Sequence, residues 1–222
     1  MPDNLDLSNP STFKALPFPS LFLMPSQHFE KKVIDGIDHF EYMGRSHFHK
    51  LQRLVQSKDF LNASESLYLY GTSGSGKSHI LAALAYHLIR AGQRIIYIPD
   101  CSNLRLGPAE QIWKALKFAF YDSAALGSTG DSYDVDAFIR LISQRQDLYI
   151  IVDQTNALEI AEDDSRGAPT LQAIHWLDAL RLNHPTRYIF SASANEKSNR
   201  DADRKQSSIS VFRIFGGMSL VR

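Results

Sequence analysis

The sequence predicts a three-layer α/β sandwich in which helices cover both faces of a mostly parallel five-stranded sheet. Three observations lead there. Short apolar runs at Leu67-Tyr68-Leu69-Tyr70, Arg94-Ile95-Ile96-Tyr97-Ile98 and Leu148-Tyr149-Ile150-Ile151-Val152 alternate with stretches whose apolar residues recur every three or four positions. The last of these runs is apolar on both faces, as in a parallel strand covered by helices on each side. A glycine-rich segment joins the first run to a long alanine-rich helical stretch, and strands alternating with helices of this length build right-handed crossovers.

The bulk properties allow that fold and exclude others. At 222 residues with 44% hydrophobic residues, the chain can bury one sizeable core, so one main domain is expected. Lysine plus arginine equals aspartate plus glutamate at 24 each, so no global field draws the protein to nucleic acid. The single cysteine, Cys101, makes no internal disulfide and no zinc cluster. Residues 1–7 carry acidic groups and no basic start before an apolar run, unlike a secretory signal. Residues 15–25 are apolar but short and broken by prolines, so they cannot span a bilayer as a helix and are expected to dock as an extended segment. A soluble, intracellular protein without a membrane partner is the expectation.

Taken in order, residues 1–42 mix proline, serine and scattered aromatics without a period and read as an irregular leader that is partly ordered, with the main domain over 43–222. Residues 46–56 place Phe48, Leu51, Leu54 and Val55 at helical spacing. The strand at 67–70 and the helix at 80–89 flank the glycine-rich loop, Gly92 stops that helix, and Pro99 closes the strand at 94–98. Pro108 opens a helix carrying Ile112, Trp113, Leu116 and Phe120, and residues 135–145 form another. After the strand at 148–152 come a polar stretch (159–169), a helix (171–182) and a fourth strand (188–191). A charged, serine-rich loop (195–210) and a fifth strand (211–215) follow.

The loop is the chemical signal. Gly71-Thr72-Ser73-Gly74-Ser75-Gly76-Lys77-Ser78 has a glycine, four residues, then Gly-Lys-Ser, the Walker A or P-loop pattern. Glycines let the backbone curl so that its N–H groups face phosphate oxygens. Lys77, expected to face solvent, brings charge to the β and γ phosphates, and Ser78 offers a hydroxyl to magnesium. His79 opens the helix whose unpaired N–H groups complete the cradle. ATP with magnesium is the expected ligand.

Asp153, at the end of a buried strand, is the metal-side candidate, and Gln154 follows it. One strand, 94–98, intervenes between the two motifs, which suggests the sheet order 5-1-4-3-2. Sensing residues would then come from the strand at 188–191 and its extension, where Ser193 or Asn195 could bond the γ-phosphate or the attacking water. The plain alternative is a strand-to-loop transition. No histidine pair has metal-ligand spacing, and Trp113 and Trp176 read as core.

Tyr42-Met43-Gly44-Arg45 before a helix looks like the hydrophobic-Gly-Arg entry of AAA+ and STAND ATPases, where that turn lies against the adenine; the resemblance makes Gly44 and Arg45 nucleotide contacts. Residues 43–215 fit the order of parts of those ATPases. More closely, Leu69-Tyr70-Gly71-Thr72-Ser73-Gly74-Ser75-Gly76-Lys77-Ser78-His79, Tyr97-Ile98-Pro99-Asp100-Cys101 and Val152-Asp153-Gln154-Thr155-Asn156-Ala157-Leu158 resemble the ATPase domain of fungal and oomycete Crinkler-type effectors. That resemblance implies an ATPase switch or motor module coupled to another domain, often nuclease-like. In some members it implies export into a host cell and its nucleus, with nucleic acid as a partner. A protein partner or self-association would fit a switch. A helical lid is expected after the last strand and is not in the sequence, so a shortened or partial member is expected. Gln154 stands where those ATPases most often carry a glutamate, which implies slow hydrolysis with Asp153, Gln154 and Asn195 as the catalytic set. Two other classes stay open: a small-molecule or nucleoside kinase with Arg200, Arg204 and Lys205 as a basic lid, and a nucleic-acid-binding module without turnover.

Overall fold

The computed structural model describes residues 6–23, 25–26, 29–57, 65–72, 74–122, 134–143, 145, 148–158, 167–183, 187–193 and 210–215. The elements are β1 (Phe13–Pro17), β2 (Lys31–Ile34), β3 (Ile37–Met43), α1 (Ser46–Gln56), β4 (Glu65–Gly71), α2 (Lys77–Arg90), β5 (Arg94–Ile98), α3 (Pro108–Ala119), α4 (Val135–Ile142), β6 (Leu148–Val152), α5 (Gly167–Asn183), β7 (Tyr188–Ser193) and β8 (Ser210–Phe215). Short 3-10 turns at Cys101–Arg105 and Thr155–Leu158 follow β5 and β6.

The main sheet runs β5-β6-β7-β4-β8. Its first four strands are parallel, in agreement with the expected α/β class, and β8 pairs antiparallel with β4. Strand alternation sends neighbouring side chains to opposite faces. Ile96, Ile98, Ile150, Val152, Tyr188 and Phe190 join α3, α4 and α5 in one buried cluster, which also holds Trp113 and Trp176. Ile95, Tyr97, Tyr149, Ile151, Leu67, Leu69 and Ile189 join α1 and α2 in another. Hydrophobic burial on both faces therefore makes the three layers.

Local chemistry marks the helix ends. Pro108 sits in the first turn of α3, where its missing N–H costs nothing. Asp134 caps α4 by accepting from the Ala137 N–H at 2.8 Å. The Trp176 indole donates to Asp136 Oδ1 at 2.9 Å and ties α5 to α4.

The irregular leader expected over 1–42 is corrected: β1, β3 and β2 form an antiparallel sheet in that order. Its hairpin turns on Asp35 (φ 51°) and Gly36 (φ 76°), between the paired Ile34 and Ile37. Asp-Gly in a two-residue turn matches the twist of the flanking strands, and that signal stands in the sequence. The sheet belongs to the domain core, because Phe18, Phe29 and Phe40 pack edge to face and Phe18 lies 5.9 Å from the Tyr97 ring. Among the described residues no helix is long and apolar enough to cross a membrane.

Candidate nucleotide site

Strand β4 ends at Gly71 and α2 begins at Lys77, so the glycine-rich loop bridges a parallel strand to a helix start. Gly74 (φ 77°) and Gly76 (φ 88°) take left-handed conformations that cost other residues energy. Gly76 is the N-cap of α2, has no side chain to bond the first-turn N–H groups, and is followed by no acidic residue in that turn. Those donors are left to an anion.

Lys77 departs from its expected solvent-facing position. It is 8% exposed, and its ammonium donates to the Gly71 carbonyl at 2.6 Å, the Thr72 carbonyl at 2.9 Å and Ser75 Oγ at 3.4 Å. Burial lowers its pKa, and the nearby Asp153 opposes that shift. The stem packs at the strand–helix junction and the charge folds back onto the loop that a phosphate would occupy.

Asp153 follows β6 and is fully buried. Its Oδ1 accepts from the Ser191 hydroxyl and, at 2.9 Å, from the Gln154 N–H. The Ser78 hydroxyl is near enough to help hold the pKa of this carboxyl down. Burial pushes the pKa above the ordinary carboxylate range, against the Ser191 and Gln154 bonds, the nearby Ser78 hydroxyl and the Lys77 charge, which pull it down. Its Oδ2 is buried and has no hydrogen-bond partner among the described residues. A hydroxyl and a carboxylate with one oxygen unclaimed fit magnesium, a hard cation that takes oxygen ligands and keeps several waters.

Gln154 has φ 60°, rare for a residue with a side chain. Its N–H, besides reaching Asp153, lies 3.4 Å from Ser191 Oγ, and the Thr155 hydroxyl donates to the Ser191 carbonyl at 2.9 Å. The left-handed turn is held by bonds to the neighbouring strand. Cys101, which opens the 3-10 turn after β5, is buried, and its thiol pKa is pushed well up by that burial.

The structure thus brings the loop, Lys77, Ser78, Asp153 and Gln154 to one end of the parallel strands. His79 sits in the first turn of α2 with its ring 4.8 Å from Phe29, among the leader aromatics. Arg45 reaches the loop, and Gly44 packs beneath the backbone of Asn9. Ser191 is the residue that sequence reasoning passed over in favour of Ser193 and Asn195. Its signal was the parallel pairing of β6 and β7, which sets Val152 opposite Phe190 and so Asp153 beside Ser191. Ser73, Asn195, Arg200, Arg204 and Lys205 lie outside the described residues, as does the side chain of Ser193.

Residues 26–106 match the model of a family described as IstB-like ATP binding protein. The matched stretch spans the β2–β3 hairpin, α1, the phosphate loop, α2 and β5. No curated protein matches the chain. The family match across the phosphate loop and the loop's own geometry together support an ATP-binding P-loop NTPase domain.

Proposed function

We propose that this protein binds ATP with magnesium and hydrolyses it slowly, as a nucleotide-dependent switch or motor module. One observation carries the reading: the fully buried Asp153, just after β6, feels the charge of Lys77 and the Ser78 hydroxyl of the phosphate loop and keeps one carboxylate oxygen without a hydrogen-bond partner among the described residues. Ser78 and Asp153 would hold magnesium, which when bound neutralises charge on the β and γ phosphates. Lys77 would exchange its neutral loop carbonyls for anionic phosphate oxygens, so that both partners of the bond are charged. Gln154 can orient a water by hydrogen bonds but cannot take its proton, and for that reason slow turnover is proposed. The effector-type setting, with a second domain and a nucleic-acid or protein partner, rests on the resemblance of residues 69–79, 97–101 and 152–158.

Calorimetric titration with magnesium ATP and a phosphate-release assay test the proposal on the parent and on Lys77→Ala. Binding by the parent and its loss in the variant is expected. Equal binding by the two proteins would sink the reading, and so would no binding by the parent.

A further inference from the structure

Arg45 touches the phosphate loop from outside. Its Nη1 donates to the Ser75 carbonyl at 3.3 Å, and a Cβ on Gly76 would collide with its guanidinium carbon and both terminal nitrogens. No carboxylate among the described residues forms an ion pair with Arg45. The loop backbone is therefore its polar partner.

The peptide it engages joins Ser75 to Gly76. In a trans peptide the carbonyl and the following N–H point in opposite directions, so a carbonyl drawn to Arg45 turns the Gly76 N–H to the far side. Gly74 and Gly76, both left-handed, leave this stretch of backbone free to rotate. Arg45 removes that freedom before any phosphate arrives.

Arg45 is itself placed from further away. Its backbone N–H donates to the Leu7 carbonyl at 3.1 Å, and the Tyr42 hydroxyl donates to the same carbonyl at 3.0 Å. The Gly44 N–H donates to the Thr12 carbonyl at 2.8 Å, and a Cβ on Gly44 would run into the Asn9 carbonyl. Asn9 also accepts from the Thr12 N–H at 2.9 Å, which closes the turn. Leu7 is 3% exposed, so this turn is anchored and not merely laid on the surface.

We propose that Arg45 is a positioning residue of the phosphate loop and that the turn at residues 7–12 sets where Arg45 stands, so that nucleotide binding and the seating of this turn are coupled. The inference rests on the P-loop reading above and assigns Arg45 to the loop backbone instead of the adenine. Coupling of this kind is reciprocal: what seats the turn tightens ATP, and ATP seats the turn.

The test uses the full chain with magnesium ATP, calorimetry for affinity, and hydrogen exchange of residues 6–12 with and without nucleotide. Arg45→Ala is expected to weaken ATP by about tenfold, the effect of one hydrogen bond. Tyr42→Phe, which removes only the hydroxyl bonded to the Leu7 carbonyl, and the harsher Gly44→Ala should each weaken ATP by a few-fold in the parent. In the Arg45→Ala background they should have no further effect, because the path is already cut. Magnesium ATP should slow exchange at residues 6–12 in the parent and not in Arg45→Ala. Urea midpoints confirm that each variant folds. If Arg45→Ala binds like the parent while Lys77→Ala does not bind, the proposal falls and the P-loop reading stands. Additive effects of Tyr42→Phe and Arg45→Ala, or exchange at 6–12 indifferent to ATP, also overturn it. No binding by the parent removes both.

Discussion

Ser191 stands beside Asp153 across the β6–β7 pairing and donates its hydroxyl hydrogen to the aspartate's Oδ1. Both residues are fully buried, so water does not compete for the bond. One carboxylate oxygen is thereby fixed by Ser191 and the Gln154 N–H, and Oδ2 stays without a partner among the described residues. A carboxyl held on one side and open on the other is pre-oriented for a cation. The serine supplies part of that orientation.

Ser191→Ala should lower stability by about 1–3 kcal/mol, the cost of leaving a buried acceptor short of a donor. Urea unfolding measures it. The same variant should weaken magnesium dependence of ATP binding, because Asp153 loses one of its orienting bonds. An unchanged midpoint together with unchanged magnesium dependence would show that the Gln154 N–H suffices to hold the carboxyl.

Gln154→Glu should speed ATP hydrolysis at least several-fold with little change in affinity, since a general base is commonly worth a factor of about a hundred to ten thousand. Glutamate has the same backbone demands at φ 60°, so the turn is retained. Asp153→Ala should abolish magnesium-dependent turnover. Single-turnover hydrolysis at saturating nucleotide decides both. A Gln154→Glu rate at or below the parent's would mean that water is positioned elsewhere, with Asn195 the next residue to change.

His87, on α2, should make the domain sensitive to acid. Its Nε2 lies 3.1 Å from the Gln52 amide nitrogen of α1, and its ring packs at 6.0 Å from Phe48. Burial, helped by the Arg90 charge, lowers its pKa below the ordinary 6.5. Above that value the ring is neutral in both folded and unfolded chains and contributes no pH dependence. As pH falls through 6.5 the unfolded chain takes up the proton first, so stability is lost until the lowered folded pKa is reached. Urea midpoints at pH 7.5 and 5.5 should therefore differ less for His87→Gln than for the parent. Equal differences would exclude His87 as the source.

Gly36→Ala should destabilise the leader hairpin by roughly 1 kcal/mol, from the left-handed conformation alone. A Cβ there meets nothing within 4 Å, so no steric clash adds to the cost. Thermal unfolding reads the shift. Gly92→Ala, at φ 77° and equally open, should cost a similar amount at the end of α2 and serves as the comparison.

The sequence by itself determined the phosphate loop, because eight consecutive residues between an apolar strand and a helix need only local backbone freedom to form it. It likewise determined the α/β class and the strand that leads into Asp153, where periodicity and run length are local properties. The Asp35-Gly36 hairpin was equally local and stood unread among prolines and scattered aromatics. Tertiary structure alone decided the rest. Ser191 meets Asp153 across 38 residues of sequence, and Arg45 meets Ser75 across 30, at distances set by strand register and by which faces are buried together. Lys77 could be assigned a charge and a role from its motif, but its burial depends on the packing of β4, α2 and the loop carbonyls around it. Composition and spacing carry no record of which segments end up in contact; burial and hydrogen bonding choose them when the chain closes on itself.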